Sequence, residues 1–134
     1  MTAKEEVNYC IWSKQILILK KQKLLSEKKV EELQNTINQY ESKIQELPKN
    51  YKHIKEIIKI ILKLDDMRKH PMHDPEKIHL ALVVDELEDA RVPNTVIKST
   101  CSFLYEAGII KQHDFNYFEV MDRKFLEDFL LKNK

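Results

Sequence analysis

Gly108 is the only glycine in a chain of 134 residues, with four prolines beside it. Tight hairpin turns lean on glycine for backbone conformations that other residues resist. A chain so poor in glycine cannot build a many-hairpin β-structure, so helices carry most of it. Charged residues at 34% fit that reading, because long solvated helices hold more charge than average domains do. Hydrophobic residues at 43% are enough for a core, which excludes wholesale disorder. The length corresponds to one domain, or to a small domain carrying an extension.

The first half is organised by an apolar repeat. Steps of three and four from Tyr9 give Trp12, Ile16, Leu19, Lys23, Ser26, Val30, Leu33, Ile37, Tyr40, Ile44 and Leu47. Such alternation draws a narrow stripe along a helix, and a sustained 3.5-residue period winds two helices together. No proline or glycine intervenes before Pro48. The spacing therefore predicts one helix over 5–47, about 60 Å long at about 1.5 Å per residue. A rod of that length needs a partner helix for its stripe. The expected partner is a second copy or another coiled-coil chain in parallel register, through Trp12, Ile16, Leu19, Val30, Leu33, Ile37, Tyr40, Ile44 and Leu47. A hairpin onto the chain's next helix is the competing arrangement. Lys23 and Ser26 interrupt the stripe, and polar seam residues fix register at a cost in stability. Leu17, Ile18, Leu24 and Leu25 widen the apolar face at this end beyond what a two-stranded zipper uses.

Charge is uneven. Residues 1–70 carry a balance of +5 and residues 71–134 a balance of −4. The lysines of "LKKQKLLSEKK" are interleaved with Glu27, Glu31 and Glu32, which is the pattern of a solvated helix flank rather than a phosphate-binding stripe. Cys10 and Cys101 form neither a disulfide framework nor a zinc motif and suit a reducing compartment. The run Ile16 to Leu19 is too short for a signal peptide, which needs about 7–15 apolar residues, or for a membrane span, which needs about 20. The expectation is an intracellular soluble protein, in cytoplasm or nucleus, with no membrane partner.

The second half reads as a separate unit, 49–134, following a coiled-coil unit, 1–47. Ile54, Ile57, Ile58, Ile61, Leu64 and Met67 mark an amphipathic helix over 51–67. "RKHPMHDPEK" is a connection, Ile78–Leu80 a short strand, and 81–90 a short helix. "RVPNT" is a turn, after which Asn94 or Thr95 caps a helix that ends at Gly108. Glycine there is a stop, since it enters the left-handed conformation that closes helices without steric cost. "IIKQH", "DFN" and "YFEVM" follow as strand, turn and strand, with Phe118 and Val120 as the inward pair. "DRKFLEDFLLKNK" is a closing helix. The stretch "VPNTVIKSTCSFLYEAGIIK" resembles the winged helix-turn-helix superfamily, with Leu104, Glu106, Ala107, Gly108, Ile110 and Lys111 in register. The resemblance covers about residues 50–122. The fold class is thus mainly α with a small β-wing: a long N-terminal coiled-coil helix, then a winged-helix domain.

That resemblance implies a recognition helix in the DNA major groove and a wing on the backbone. On this chain the reading residues would be Asn94, Thr95, Lys98, Ser99, Ser102 and Lys111. The surrounding charge opposes it. Asp85, Glu86, Glu88 and Asp89 border the helix, and the wing has Asp114 and Glu119 but no cation, so few phosphates would be neutralised. The favoured expectation is a non-enzymatic assembly subunit or adaptor. It oligomerises through the N-terminal helix and docks a partner protein through Phe103, Phe115 and Tyr117, since aromatics anchor interfaces. A dimeric DNA-binding regulator is the alternative. No phosphate loop, nucleophile elbow or carboxylate pair marks an enzyme. His70, His73, Asp74 and His79 match no ligand spacing, so neither a metal nor a cofactor is expected.

Overall fold

The structure is a computed structural model and describes residues 1–48, 50–68, 78–79, 87, 91–112 and 117–133. In chain order these form α1 (Ala3–Leu25), α2 (Val30–Gln45), α3 (Lys52–Arg68), β1 (Ile78–His79), α4 (Asn94–Glu106), β2 (Ile110–Gln112), β3 (Tyr117–Val120) and α5 (Arg123–Lys132). The protein is mainly helical with a small antiparallel sheet.

A long N-terminal helix is present, but the run expected to be continuous over 5–47 is two helices. α1 opens with a capping box, in which the Thr2 hydroxyl accepts from Glu5 N and the Glu5 carboxylate accepts from Thr2 N. It stops at Leu25, where Ser26 is extended and its hydroxyl accepts from Lys29 N at 3.4 Å. α2 then runs back antiparallel along α1. Lys23 Nζ donates to Gln34, while Lys43 Nζ sits 5.8 Å over the Trp12 ring and 5.4 Å over that of Tyr40. The physical reason lies at the interruption of the repeat. Turning at Ser26 lets the chain bury its own stripe, Ile16 on α1 and Ile37 on α2, without a second chain. Trp12, Leu19, Leu33, Tyr40, Ile44 and Leu47 are half-buried along this seam, and Val30 is exposed at its open end. The residues assigned to a parallel intermolecular coil thus serve an antiparallel hairpin within the chain.

The expected division at residue 47 is not a packing boundary for α1. α1 lies against α4 and touches α3, and Cys10 belongs to the same buried cluster as Ile54, Ile57, Leu104 and Leu126. The tie is also polar. Fully buried Glu6 reaches from α1 to the start of α3, where its Oε1 accepts from His53 N at 2.8 Å and Ile54 N at 3.1 Å. These are amides that a helix start leaves without intrahelical partners.

α3 fills the centre with Ile54, Ile57, Ile58, Ile61 and Leu64, each contributing about 1.5–3 kcal/mol on burial. α5 closes over it with Leu126 and Phe129. Asp122 caps α5 by accepting from Phe125 N, and Arg123 pins the helix to α3 through Asp65 at 2.7 Å and Asp66 at 2.9 Å. The sheet order is β1-β3-β2, antiparallel throughout, with Ile110 opposite Val120 and Ile78 opposite Phe118. Phe118 and Val120 are buried, as their alternation requires.

α4 ends as Gly108 demands. Gly108 has φ 75°, its N–H donates to Tyr105 O at 3.1 Å, and Ile109 N donates to Leu104 O at 3.0 Å. Paired bonds of this kind satisfy the last carbonyls of a helix. A methyl group at Gly108 would meet nothing within 4 Å, so the positive φ alone calls for glycine. The other end of α4 differs from expectation. Its cap residue is Pro93, and neither Asn94 nor Thr95 makes a capping side-chain bond. The expected helix over 81–90 falls largely outside the described residues, of which Leu87 is helical and fully buried.

Candidate interaction surface

The surface residues named from the sequence sit mostly on α4, and α1 decides which of them remain open. α1 runs parallel to α4 along one flank. Cys10 Sγ lies 3.6 Å from Thr100 Oγ1, Lys14 Nζ donates to Ser102 Oγ at 2.8 Å, and Lys21 Nζ pairs with Glu106 Oε1 at 2.8 Å. The Tyr9 ring meets that of Phe103 nearly edge-on, at 6.0 Å between centroids. Asn94, Thr95 and Lys98 stay exposed in the first turns of α4, whereas Ser99 and Ser102 are half-buried. Lys98, Ser99 and Ser102 instead line a depression of about 240 Å³ shared with Ile11, Lys14 and Gln15 of α1. Lys111 is exposed on β2, apart from this group.

Of the expected partner anchors, Phe103 is half-buried and committed to Tyr9, which is itself packed at 4.8 Å on Tyr51. Tyr117 lies in β3 by its backbone, while Phe115 falls outside the described residues, as do His70, His73 and Asp74. A second depression, of about 540 Å³, opens at the root of the two strands between Lys21, Tyr105, Glu106, Lys111 and Met121. Tyr105 and Met121 are more than half exposed there. Neither was singled out from the sequence. Tyr105 was legible in principle, since it falls off the buried line Ile97, Thr100 and Leu104 of its helix. Met121 carries no pattern that sets it apart.

The titratable groups nearby are shaped by burial. The Cys10 thiol is pushed up to about 12 by burial, against the lowering pull of its hydrogen bond to Thr100. It is therefore a protonated core residue rather than a nucleophile. Burial likewise lifts the Tyr9 hydroxyl to about 12. The Glu6 carboxyl is raised by desolvation, which outweighs the opposing hydrogen bonds from Ile54 and His53. Among the described residues no group of three or more His, Cys, Asp or Glu could hold a metal ion, and no helix is long and apolar enough to cross a membrane. No family model, curated protein or solved structure matches the chain.

Proposed function

We propose that the chain is a non-catalytic assembly subunit, a winged-helix domain carrying a helical hairpin, which oligomerises through α1 and docks a partner protein beside the wing. The winged-helix reading is supported by the order of α3, β1, α4 and the β2–β3 pair, by the strand order β1-β3-β2, and by the glycine stop after α4. The docking reading is carried by one observation: α1 lies along the flank of α4 and bonds to it at Thr100, Ser102 and Glu106. Two packed helices have axes about 8–10 Å apart, and each is about 10–12 Å across with its side chains. A DNA major groove about 12 Å wide takes one of them. Exposed Tyr105 and Met121 at the wing root then offer the apolar anchors of a protein interface, with Lys21 and Lys111 at the rim.

The DNA-binding alternative has one observation in its favour. Asn94, Thr95 and Lys98 are exposed in the first turns of α4, and recognition helices read bases with their N-terminal residues. Fluorescence anisotropy with mixed-sequence duplex DNA at low and moderate salt separates the two. The docking reading expects at most weak binding that Lys98→Glu hardly changes. Tight binding that falls steeply with salt and is lost in Lys98→Glu would replace it with the regulator.

A further inference from the structure

α1 meets α3 only near its start, through Glu6 and Tyr9, and along the rest of its length it has two neighbours within the chain, α2 and α4. Trp12, Ile16 and Lys23 face α2, and Cys10, Lys14 and Lys21 face α4. The remaining face carries Ile11, Gln15, Ile18, Gln22 and Leu25. Residues seven apart are about 20° from alignment, so Ile11, Ile18 and Leu25 form one line, with Gln15 and Gln22 each four residues on. Ile11 is 45% exposed and Leu25 89% exposed, with Ile18 half-buried between them. None of the five positions is charged, in a chain that is 34% charged. Lys14 and Lys21 are turned onto Ser102 and Glu106 of α4, while exposed Lys98 borders Ile11 and Gln15 and exposed Lys4 extends the line seven residues before Ile11.

The line is also nearly the same read in either direction from Ile18: an apolar residue seven positions away on both sides, and a glutamine three before and four after. We infer that this face pairs antiparallel with the same face of a second copy, about a two-fold axis through Ile18. Ile18 then meets Ile18 of the second copy, Ile11 meets Leu25, and the Gln15 and Gln22 amides pair along the edge. Such an interface is isologous, so every residue finds its complement without any third surface.

Charge selects the antiparallel direction. The hairpin tip carries Lys20, Lys21, Lys23, Lys28 and Lys29 against Glu27. Parallel pairing sets the two tips side by side. Antiparallel pairing separates the two Leu25 positions by about 21 Å of helix rise, beyond a Debye length of about 8–10 Å at ordinary salt. The contact spans about four turns of each helix, at the small end of stable interfaces, so the dimer is a weak one that dissociates on dilution. The inference rests on the reading of α1 as the oligomerising element and names its partner and its residues.

Sedimentation of the full chain from micromolar to several hundred micromolar tests it. Wild type passes from monomer to dimer, and Ile18→Lys, which sets two like charges face to face on the axis, weakens dimerisation about 100-fold or more. Because Ile18 is half-buried in the monomer, Ile11→Lys, at a position 45% exposed, is the second variant: it leaves the melting curve in dilute solution that of the wild type and weakens dimerisation in the same direction. In a Cys101→Ser background, Ile18→Cys forms an intermolecular disulfide with itself. Ile11→Cys and Leu25→Cys cross-link with each other when mixed and not with themselves. A dimer indifferent to Ile18→Lys, or self-cross-linking of Ile11→Cys, overturns this seam while leaving the chain an oligomer. A monomer at every concentration overturns the seam and the oligomerising reading together.

Discussion

α1 and α2 come from one unbroken apolar repeat, yet they are different kinds of helix. α2 has one apolar line, Val30, Leu33, Ile37, Tyr40 and Ile44, and that line faces α1. Its remaining surface is Glu31, Glu32, Asn35, Asn38, Gln39 and Ser42, as a helix with one neighbour and solvent elsewhere requires. α1 presents apolar side chains on several faces and buries Glu6, Cys10 and Ile16, with α3, α4 and α2 all packed against it. The difference teaches that a period identifies a helix and one stripe, while the number of stripes gives the number of neighbours. α1 is therefore part of the core of the fold, and α2 is an attachment to α1.

The sharpest way to break this comparison is at Glu6, where α1 holds the start of α3. Glu6→Ala leaves the His53 and Ile54 amides without their acceptor. Orphaned donors of this sort cost about 1–3 kcal/mol each, so urea unfolding should show a loss of about 3 kcal/mol in one cooperative transition. A loss below about 1 kcal/mol would mean that α1 is not essential to the core. Glu6→Gln keeps an acceptor for both amides and removes only the charge. Burial raises the Glu6 carboxyl above its usual 4.5, so the folded state holds the proton more tightly than the unfolded chain does. That contribution is complete below about pH 4.5 and is lost as pH climbs through the folded value. Glu6→Gln should therefore gain on the wild type between pH 4.5 and neutrality, and parallel pH profiles of the two proteins would sink this account.

Ile37 tests the other side of the comparison. It is fully buried between α2 and α1, and Ile37→Ala removes most of what holds α2 in place. Core truncations of this kind cost about 2–5 kcal/mol, and the open hairpin can relax, which puts the loss near about 2 kcal/mol. The loss should also stay local. Amide exchange should quicken throughout α2, while the amides of α3, α4 and α5 keep their protection. Equal quickening in α3 would make α2 as much a part of the core as α1.

What could be read from the sequence divides along the same line. Helix α3, the inward alternation of Phe118 and Val120, and the stop at Gly108 follow from local chemistry: a strong apolar period, an alternation, and a glycine. The hairpin turn was marked by Lys23 and Ser26, but a repeat cannot say whether its stripe is filled by another chain or by itself, since both satisfy the same positions. Tyr105 showed only as a position off the buried line of its helix, and Met121 stayed hidden because exposure is a property of what the fold leaves uncovered.

Arg91 shows the limit most clearly. Its φ is 56°, as left-handed as Gly108, and Val92 N donates to Leu87 O at 3.3 Å across it. The left-handed residue and the bond that spans it thus occur twice among the described residues, once with glycine and once with an arginine that carries no such signal. A left-handed non-glycine residue costs about 1–2 kcal/mol, partly offset by the flexibility that glycine adds to the unfolded chain. Arg91→Gly should stabilise the fold by about 0.5–1 kcal/mol, read as a higher urea midpoint with unchanged slope. A lower midpoint would show that the guanidinium contributes more than the strain removes.

Leu25 gives the smallest effect and separates folding from assembly. At 89% exposed it lies at the end of α1, past the last contact that Lys21 makes with α4. A side chain that remains in water on folding contributes little to the folded monomer, and surface substitutions of this type fall within about 0.5 kcal/mol. Leu25→Gln, unfolded by urea at a concentration where the chain is monomeric, should be indistinguishable from wild type. The same variant at high concentration should lose association, because Leu25 then meets Ile11 of the second copy. Loss of stability in dilute monomer would place Leu25 among the residues that hold the hairpin together, and α1 would then have only the neighbours that the single chain provides.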